Sequence, residues 1–394
     1  MNEKLFDEIK EMSDELTLIR QDIHSHPEMA FEEIRTSNLI KTKLTEWNID
    51  VTENVGRTGL VGILKSVEPG EMSIGLRADM DALRLIEKTN VSYESKNEGV
   101  MHACGHDGHI VMLLGAAKYL SQHRDSFRGT VYFLFQAAEE GQKGALEMIK
   151  ENLFERFPMN SIYGLHNYPD QFGQFSIRSG PIMAASDRFF VTFHGTGGHG
   201  GISPHLATDV IVLQAQFILA LQTIVSRNVN AQDIAVISVG SVQTGSLISV
   251  NVMPDKVTIG GTVRTLNESV RNLIEQRIGE LAKGLASSFN CRCEYEYIRL
   301  GTVLINHEQE TKFAIEAAQS VVGKTNVLTD RNPSMGGEDF AFFLLHKPGA
   351  FIFLGTNNEP NASQLHSPTY NFNDQAISYG VAFWIRLVQQ QLNQ

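Results

Sequence analysis

Eight consecutive residues, His102-Ala103-Cys104-Gly105-His106-Asp107-Gly108-His109, bring three imidazoles, a thiol and a carboxylate together around two glycines. Cysteine, histidine and carboxylate side chains are the donors of transition-metal sites. The ligands of such a site must converge in space rather than in sequence, so further donors are expected from other segments. Those available are the adjacent Glu139 and Glu140, His166 and His366, with Asp79 and Asp81 in the stretch Arg77-Ala78-Asp79-Met80-Asp81. A bound cation deprotonates a coordinating thiol outright, which gives Cys104 a purpose in a chain with 3 cysteines. The residues alone leave plainer accounts open. A buried cysteine also serves as a small hydrophobe, and a Glu pair after an apolar strand also makes a solvated turn. His24 and His26, in a polar turn before Pro27, read as structural or supporting groups rather than ligands. His123, His307 and His346 read as surface histidines, and Cys291 and Cys293, on one face of a later strand, as packing residues.

The elements that must position these groups alternate. Helical spacing covers 3–20, 31–48 and Ile110–Leu120, and short apolar runs at Val61–Leu64, Ser73–Arg77, Thr130–Phe135 and Ser161–Leu165 read as strands. That alternation predicts an α/β fold with a mostly parallel sheet flanked by helices. In open sheets of this kind ligands bind beyond the carboxyl ends of the strands. Asp79, Asp81, Glu139, Glu140 and His166 all fall at such ends, and the 102–109 run leads into a helix. Between 186 and 300 the style changes. Strand Arg188–Phe193, helix Leu206–Arg227, strands Asp233–Val242 and Lys256–Arg264, helix Glu268–Phe289 and strand Arg292–Arg299 make βαββαβ, the ferredoxin-like order. Residues 1–185 and 301–394 are therefore expected to form one α/β domain, interrupted by a smaller α+β domain at 186–300.

Composition narrows the function. The 394 residues carry 33 Lys+Arg against 45 Asp+Glu, a net charge of −12, which opposes non-specific nucleic-acid binding. Three cysteines give no disulfide framework and point to a reducing compartment. The charged N-terminus lacks an apolar leader core, and no uninterrupted apolar run reaches the roughly 18 residues of a membrane helix. A cytoplasmic protein without membrane or nucleic-acid partners is the expectation.

The combination is more specific than its parts. MHACGHDGHIVMLLGAA, QAAEEGQKGA, YGLHN, GGHG, NVMPD, GTVRT, GGEDFAFF and the late LHSP, in that order, resemble the M20 metallopeptidase family. The resemblance is to its amidohydrolase branch, which includes hippurate hydrolases, auxin–amino acid conjugate hydrolases and N-acyl amino acid deacylases. It implies two divalent ions (Mn, Zn, Ni or Co) on Cys104, His106, Glu140, His166 and His366, with the thiolate bridging. It also implies Glu139 as general base, and Asp79, Asp81 and Asp107 as groups that orient ligands. The inserted domain would serve as lid and homodimer surface. There His199 matches a group that polarises the scissile carbonyl, and Asn251 and Arg264 match groups that hold the substrate carboxylate, some acting across the dimer. Three departures stand out: Arg84 and Ala137 where the family usually has proline, and one extra residue between Gly198 and His205. The implied reaction is hydrolysis of an N-acyl amino acid to a carboxylic acid and a free amino acid. An aminopeptidase or dipeptidase would share the metal chemistry, and a metal-binding scaffold without turnover is the non-enzyme alternative.

Overall fold

The computed structural model describes residues 3–141, 144–357 and 363–393. The chain divides into two compact units: Met1–Ile182, Leu304–Asn332 and Glu338–Gln394 form the first, and Met183–Val303 with Pro333–Gly337 the second.

The first unit opens with helices α1 (Glu3–Ser25) and α2 (Ile34–Glu46), then strands β1 (Asp50–Glu53), β2 (Leu60–Lys65) and β3 (Ser73–Asp79). Helix α3 (His106–Gln122), strand β4 (Thr130–Gln136), helices α4 (Gly144–Lys150) and α5 (Leu153–Arg156), and strands β5 (Ser161–Gln171), β6 (Phe175–Ser176) and β7 (Gly180–Met183) follow. The short β1 has no apolar run to announce it: Asp-Val-Thr-Glu lies half-exposed at a sheet edge.

The second unit contains strands β8 (Ala185–His194) and β9 (Gly198–His199), helix α6 (Val210–Thr223), and strands β10 (Ala235–Gln243), β11 (Val252–Met253) and β12 (Lys256–Thr265). Helix α7 (Glu268–Ser288) and strand β13 (Arg292–Arg299) complete it. Its sheet has the order β10-β12-β8-β13, antiparallel throughout, so the first and third main strands are central as the βαββαβ order requires. Phe189, Val191 and Phe193 of β8 meet Leu213 and Phe217 of α6 and Ile274 and Ile278 of α7 in one core. Arg271 closes its edge, donating from Nε to Asp187 at 2.8 Å, while the Tyr297 hydroxyl donates to the same carboxylate at 2.7 Å. Helix α6 starts later than the spacing at Leu206 indicates. A 3-10 turn occupies Pro204–Leu206, and Asp209 then caps the helix by accepting from Ile211 N and Val212 N at 2.9 and 3.0 Å. The stretch Val210–Asn228 is apolar enough in length and composition to cross a membrane. Here Val210, Leu213, Phe217 and Leu221 are buried in the core, while Ile211, Val212 and Leu219 stay exposed.

The chain returns to the first unit through β14 (Leu304–Asn306), α8 (Glu308–Val322), β15 (Val327–Leu328), α9 (Phe340–Leu344), β16 (Gly349–Asn357) and α10 (Ile377–Gln391). The large sheet runs β1-β2-β4-β3-β5-β16-β6-β15. Its four central strands, β4, β3, β5 and β16, are parallel, with antiparallel β2 beside them. All seven residues of β3 are buried, which fits a strand covered on both faces. Arg77 and Asp79 share that burial. A cation and an anion inside a central strand need partners, and these lead directly to the site.

Candidate metal centre

At the carboxyl ends of β3 and β4, and level with His166 in the middle of β5, the donors converge on one thiol. Cys104 Sγ lies 3.5 Å from His166 Nε2 and 3.3 Å from His366 Nε2. His366 Nε2 is also 3.2 Å from Glu140 Oε1. One ligand atom each of Cys104, His106 and Glu140 falls within 4.8 Å of the others. The chain reaches this geometry through Gly105, at φ 87°, which starts α3 immediately after the cysteine. A side chain there is doubly excluded, since a Cβ would lie 2.5 Å from Asn167 Oδ1 and 2.8 Å from the Tyr370 hydroxyl.

The imidazoles are turned by backbone carbonyls. His106 Nδ1 bonds to Asp81 O at 2.9 Å, and His166 Nδ1 to Asn167 O at 2.5 Å, leaving both Nε2 atoms for the cluster. His106 Nε2 is buried and has no hydrogen-bond partner among the described residues. Such an orphan beside a thiol, two more imidazoles and the Glu140 carboxylate fits a cation. The electrostatics agree. Burial alone would lower His106, but Asp79 and Asp81 outweigh it and push it up to about 10. Burial, with the charges of Glu140 and Glu139, pushes the Cys104 thiol well above its ordinary value. This pocket attracts positive charge.

Two adjacent carboxylates reach the same cleft because the chain turns sharply before them. Ala138 adopts φ 56°, a left-handed conformation that costs an alanine roughly 1–2 kcal/mol. Three successive N–H groups are then held by buried acids. Ala138 N donates to Glu33 Oε1 at 2.9 Å, Glu139 N to Asp81 Oδ1 at 2.9 Å, and Glu140 N to Asp81 Oδ2 at 3.0 Å. Asp81 thus orients His106 with its carbonyl and the Glu pair with its carboxylate. Glu139, Glu338 and Asp339 each offer an oxygen within 4.8 Å of the others. Burial, and then the charges of Glu338 and Glu140, push the Glu139 carboxyl well above the usual range. Glu140 moves the other way: burial would raise it, but the bond to His366 and the charge of His106 hold it down.

Residues 75–390 match peptidase family M20/M25/M40. The chain belongs to that family. It is 40% identical over 391 residues to a hippurate hydrolase of Campylobacter jejuni, with 98% of this chain and 99% of that one covered. An N-acetyl-L-cysteine deacetylase of Bacillus subtilis is 40% identical over 360 residues, covering 91% of this chain and 84% of its own. The crystal structure of a Bacillus subtilis dinuclear metal-binding peptidase of the M20 family superposes with a TM-score of 0.84 at 32% identity, covering 98% and 99% of the two chains. The protein is accordingly a metal-dependent amidohydrolase of the M20 family.

Behind the M20 metal cluster lies a network that the motifs only partly announce. Arg77 donates from Nη1 to Asp79 at 2.7 Å, from Nη2 to Glu338 at 2.9 Å and to Asp339 at 3.3 Å, and from Nε to Gln136 at 2.8 Å. Asp79 bonds His109 Nδ1 at 2.5 Å. Glu338 and Asp339 carry no assigned role in the sequence reading, although GGEDFAFF contains both; a fully buried arginine in β3 was the available signal. Asp107 lies apart from the ligands. Its carboxylate bonds His24 Nδ1 at 2.8 Å and Arg20 Nη1 at 3.2 Å, tying α3 to α1. His24 is thus the supporting group its setting implies. His102 is fully buried, with neither ring nitrogen partnered among the described residues, and burial lowers it to about 3.

In the second unit the structure brings together two of the three residues singled out there. Strands β9 and β11 pair His199 with Val252, and the Asn251 amide lies 3.3 Å from His199 Nε2. Gly201 N and Ile202 N donate to His199 Nδ1 at 3.2 and 3.1 Å, which leaves the proton on Nε2, so Asn251 Nδ2 is a neighbour of that nitrogen and not its hydrogen-bond partner. Arg264 is elsewhere. The β9–β11 ribbon adjoins the Lys256 end of β12, where Gly195 N bonds Asp255 O at 2.7 Å. Arg264 sits at the other end, opposite Ser186, about 26 Å along the strand. Its Nη1 bonds the Val263 carbonyl at 3.0 Å and the Thr262 hydroxyl.

Proposed function

We propose that the protein hydrolyses N-acyl amino acids, releasing a carboxylic acid and the free amino acid. The observation that carries this reading is the Cys104-centred donor cluster, with its orphaned His106 Nε2, directly beside the buried Glu139. Cys104, His106, Glu140, His166 and His366 would hold two divalent ions per subunit. Such ions, whether Mn, Zn, Ni or Co, supply Lewis acidity to the amide carbonyl and acidify a water.

The remaining steps fall to the chain. Glu139, raised in basicity by burial and by Glu338, takes the proton from the attacking water. The water oxygen bonds to the acyl carbon, and His199 Nε2–H donates to the carbonyl oxygen as it gains charge. The C–N bond then breaks, and Glu139 returns its proton to the leaving nitrogen. Arg264 offers a permanently charged fork for the amino-acid carboxylate, and Asn251 a second donor. Because Arg264 and the His199–Asn251 pair occupy opposite ends of β12, one substrate meets both only if two subunits contribute. A homodimer through the second unit follows. The loop before Asn251 supports it, with Leu247 96%, Ile248 95% and Val250 83% exposed, as does the bare face of α6. A monomeric solution mass would remove that part of the reading.

The test of the reaction is a mass-spectrometric screen. Chelator-stripped protein is reloaded separately with Mn, Zn, Ni or Co and offered N-acetyl, N-benzoyl and indoleacetyl amino acids beside free dipeptides. Metal-restored release of amino acid from the acylated set alone is expected. Cleavage of dipeptides alone moves the assignment to a peptidase, and silence across the panel overturns it.

A further inference from the structure

The turn that carries Glu139 and Glu140 has a second buried clamp outside every motif assigned above. Glu33 is fully buried at the start of α2, yet its side chain makes no bond to its own helix. That duty belongs to Glu28, whose two oxygens accept Arg35 N and Thr36 N at 2.8 Å each. Glu33 is thereby free to reach across the unit. Its Oε1 accepts Ala138 N, 105 residues away, at 2.9 Å, and its Oε2 accepts the Thr58 hydroxyl. The residue so held is the one in the left-handed conformation, and Ala138 is itself fully buried. Successive strand residues point to opposite faces; the turn at Ala138 is what sends both glutamates into one cleft.

We propose that Glu33 is a positioning residue of this turn: it holds Ala138 left-handed and so aims Glu139 and Glu140 at the metal cluster. The proposal rests on the reading of Glu139 as base and Glu140 as ligand. The clamp needs an acceptor for Ala138 N and a partner for Thr58, not a charge. A protonated carboxyl, or an amide, keeps a carbonyl oxygen for the N–H and turns its donor to the Thr58 oxygen.

The experiment compares Glu33→Ala, Glu33→Gln and the double variant Glu33→Ala/Ala138→Gly with the wild-type protein. Three quantities are read: kcat and KM on the best acylated substrate, Co2+ affinity of the chelator-stripped protein by absorbance, and thermal melting. In Glu33→Ala, kcat is expected to fall about 10–100-fold with KM within about threefold, and Co2+ affinity to weaken similarly. Glu33→Gln should recover kcat to within about threefold of wild type. The added Ala138→Gly should also recover most of it, because glycine takes positive φ without being held. A role confined to packing would lower the melting temperature of Glu33→Ala, and its loss would be restored by the isosteric glutamine but not by Ala138→Gly. Folded Glu33→Ala with wild-type kcat and Co2+ affinity overturns the proposal, as does a loss that Ala138→Gly does not restore. If Glu33→Ala fails to fold, Glu33→Asp, one methylene short of Ala138 N, is measured by the same readouts and standards. Should the wild-type protein hydrolyse no acylated amino acid, the functional reading fails on its own. The Co2+ arm still decides the clamp, since Glu140 stands on the same turn.

Discussion

Around Cys104 most donors are held by another group: His106 by the Asp81 carbonyl, His166 by the Asn167 carbonyl, the Glu139–Glu140 turn by Asp81 and Glu33. On the β9–β11 ribbon His199 and Asn251 are exposed side by side, and His199 accepts from two backbone amides. The first arrangement, His366 apart, is buried or nearly so, and there a single loss leaves a charge or a lone pair stranded. The second faces solvent, which satisfies whatever a mutation uncovers. Stability and chemistry are therefore entangled in the first unit and separable in the second.

The sharpest test of that contrast is Glu139→Gln. It removes the base and keeps the shape of the side chain, so kcat should fall by about 10²–10⁴-fold with metal stoichiometry, read by elemental analysis, unchanged. Loss of metal together with activity would instead make Glu139 a ligand and reverse its role with Glu140.

Arg77→Met and Arg264→Met make the same chemical change in the two regions. Arg77 is surrounded by Asp79, Glu338 and Asp339 in the interior, and stranding them should cost about 3–5 kcal/mol in denaturant unfolding. Arg264 is half-buried and bonds one carbonyl and one hydroxyl of its own strand. Its loss should stay within about 0.5 kcal/mol and show as a raised KM. Equal destabilisation by the two would erase the distinction. His199→Ala belongs with Arg264: kcat should drop by about 10²–10³-fold, while melting temperature and Co2+ affinity hold. A fall in Co2+ affinity would place His199 among the ligands.

The same contrast governs what the sequence discloses. The candidate ligands of the pocket are legible because Cys, His and Glu are rare together and stand in short runs at predicted strand ends. The clamps are not. Glu33 lies in a helical pattern where an acidic residue is ordinary, and nothing local marks it as reaching Ala138. Glu338 and Asp339 could equally begin a helix, and they acquire meaning only beside Arg77. In the second unit the βαββαβ order follows from long periodic elements, whereas the two-residue strands β9 and β11 are too short to leave a pattern. His199 and Asn251 are thus recognisable by resemblance, and their proximity only by structure.

An effect confined to the pH dependence of stability concerns the anchor of α3 to α1. His24 is buried with both ring nitrogens facing carboxylates, Asp107 at 2.8 Å and Glu87 at 3.1 Å. Burial would lower its pKa, but these two bonds outweigh burial and the opposing charge of Arg20, raising it to about 9. The unfolded chain has the ordinary value near 6.5. A raised folded value means the stabilisation is fully present below about pH 6.5, declines between 6.5 and 9, and is absent above. At about 1.4 kcal/mol per unit the whole window is worth no more than about 4 kcal/mol. Urea unfolding of wild-type protein and His24→Gln across pH 6–10 reads it directly, because the glutamine variant has no proton to lose there. The wild-type curve should fall towards that of the variant as pH rises. Parallel curves would mean that His24 is neutral in the folded protein, and that Arg20 alone satisfies Asp107.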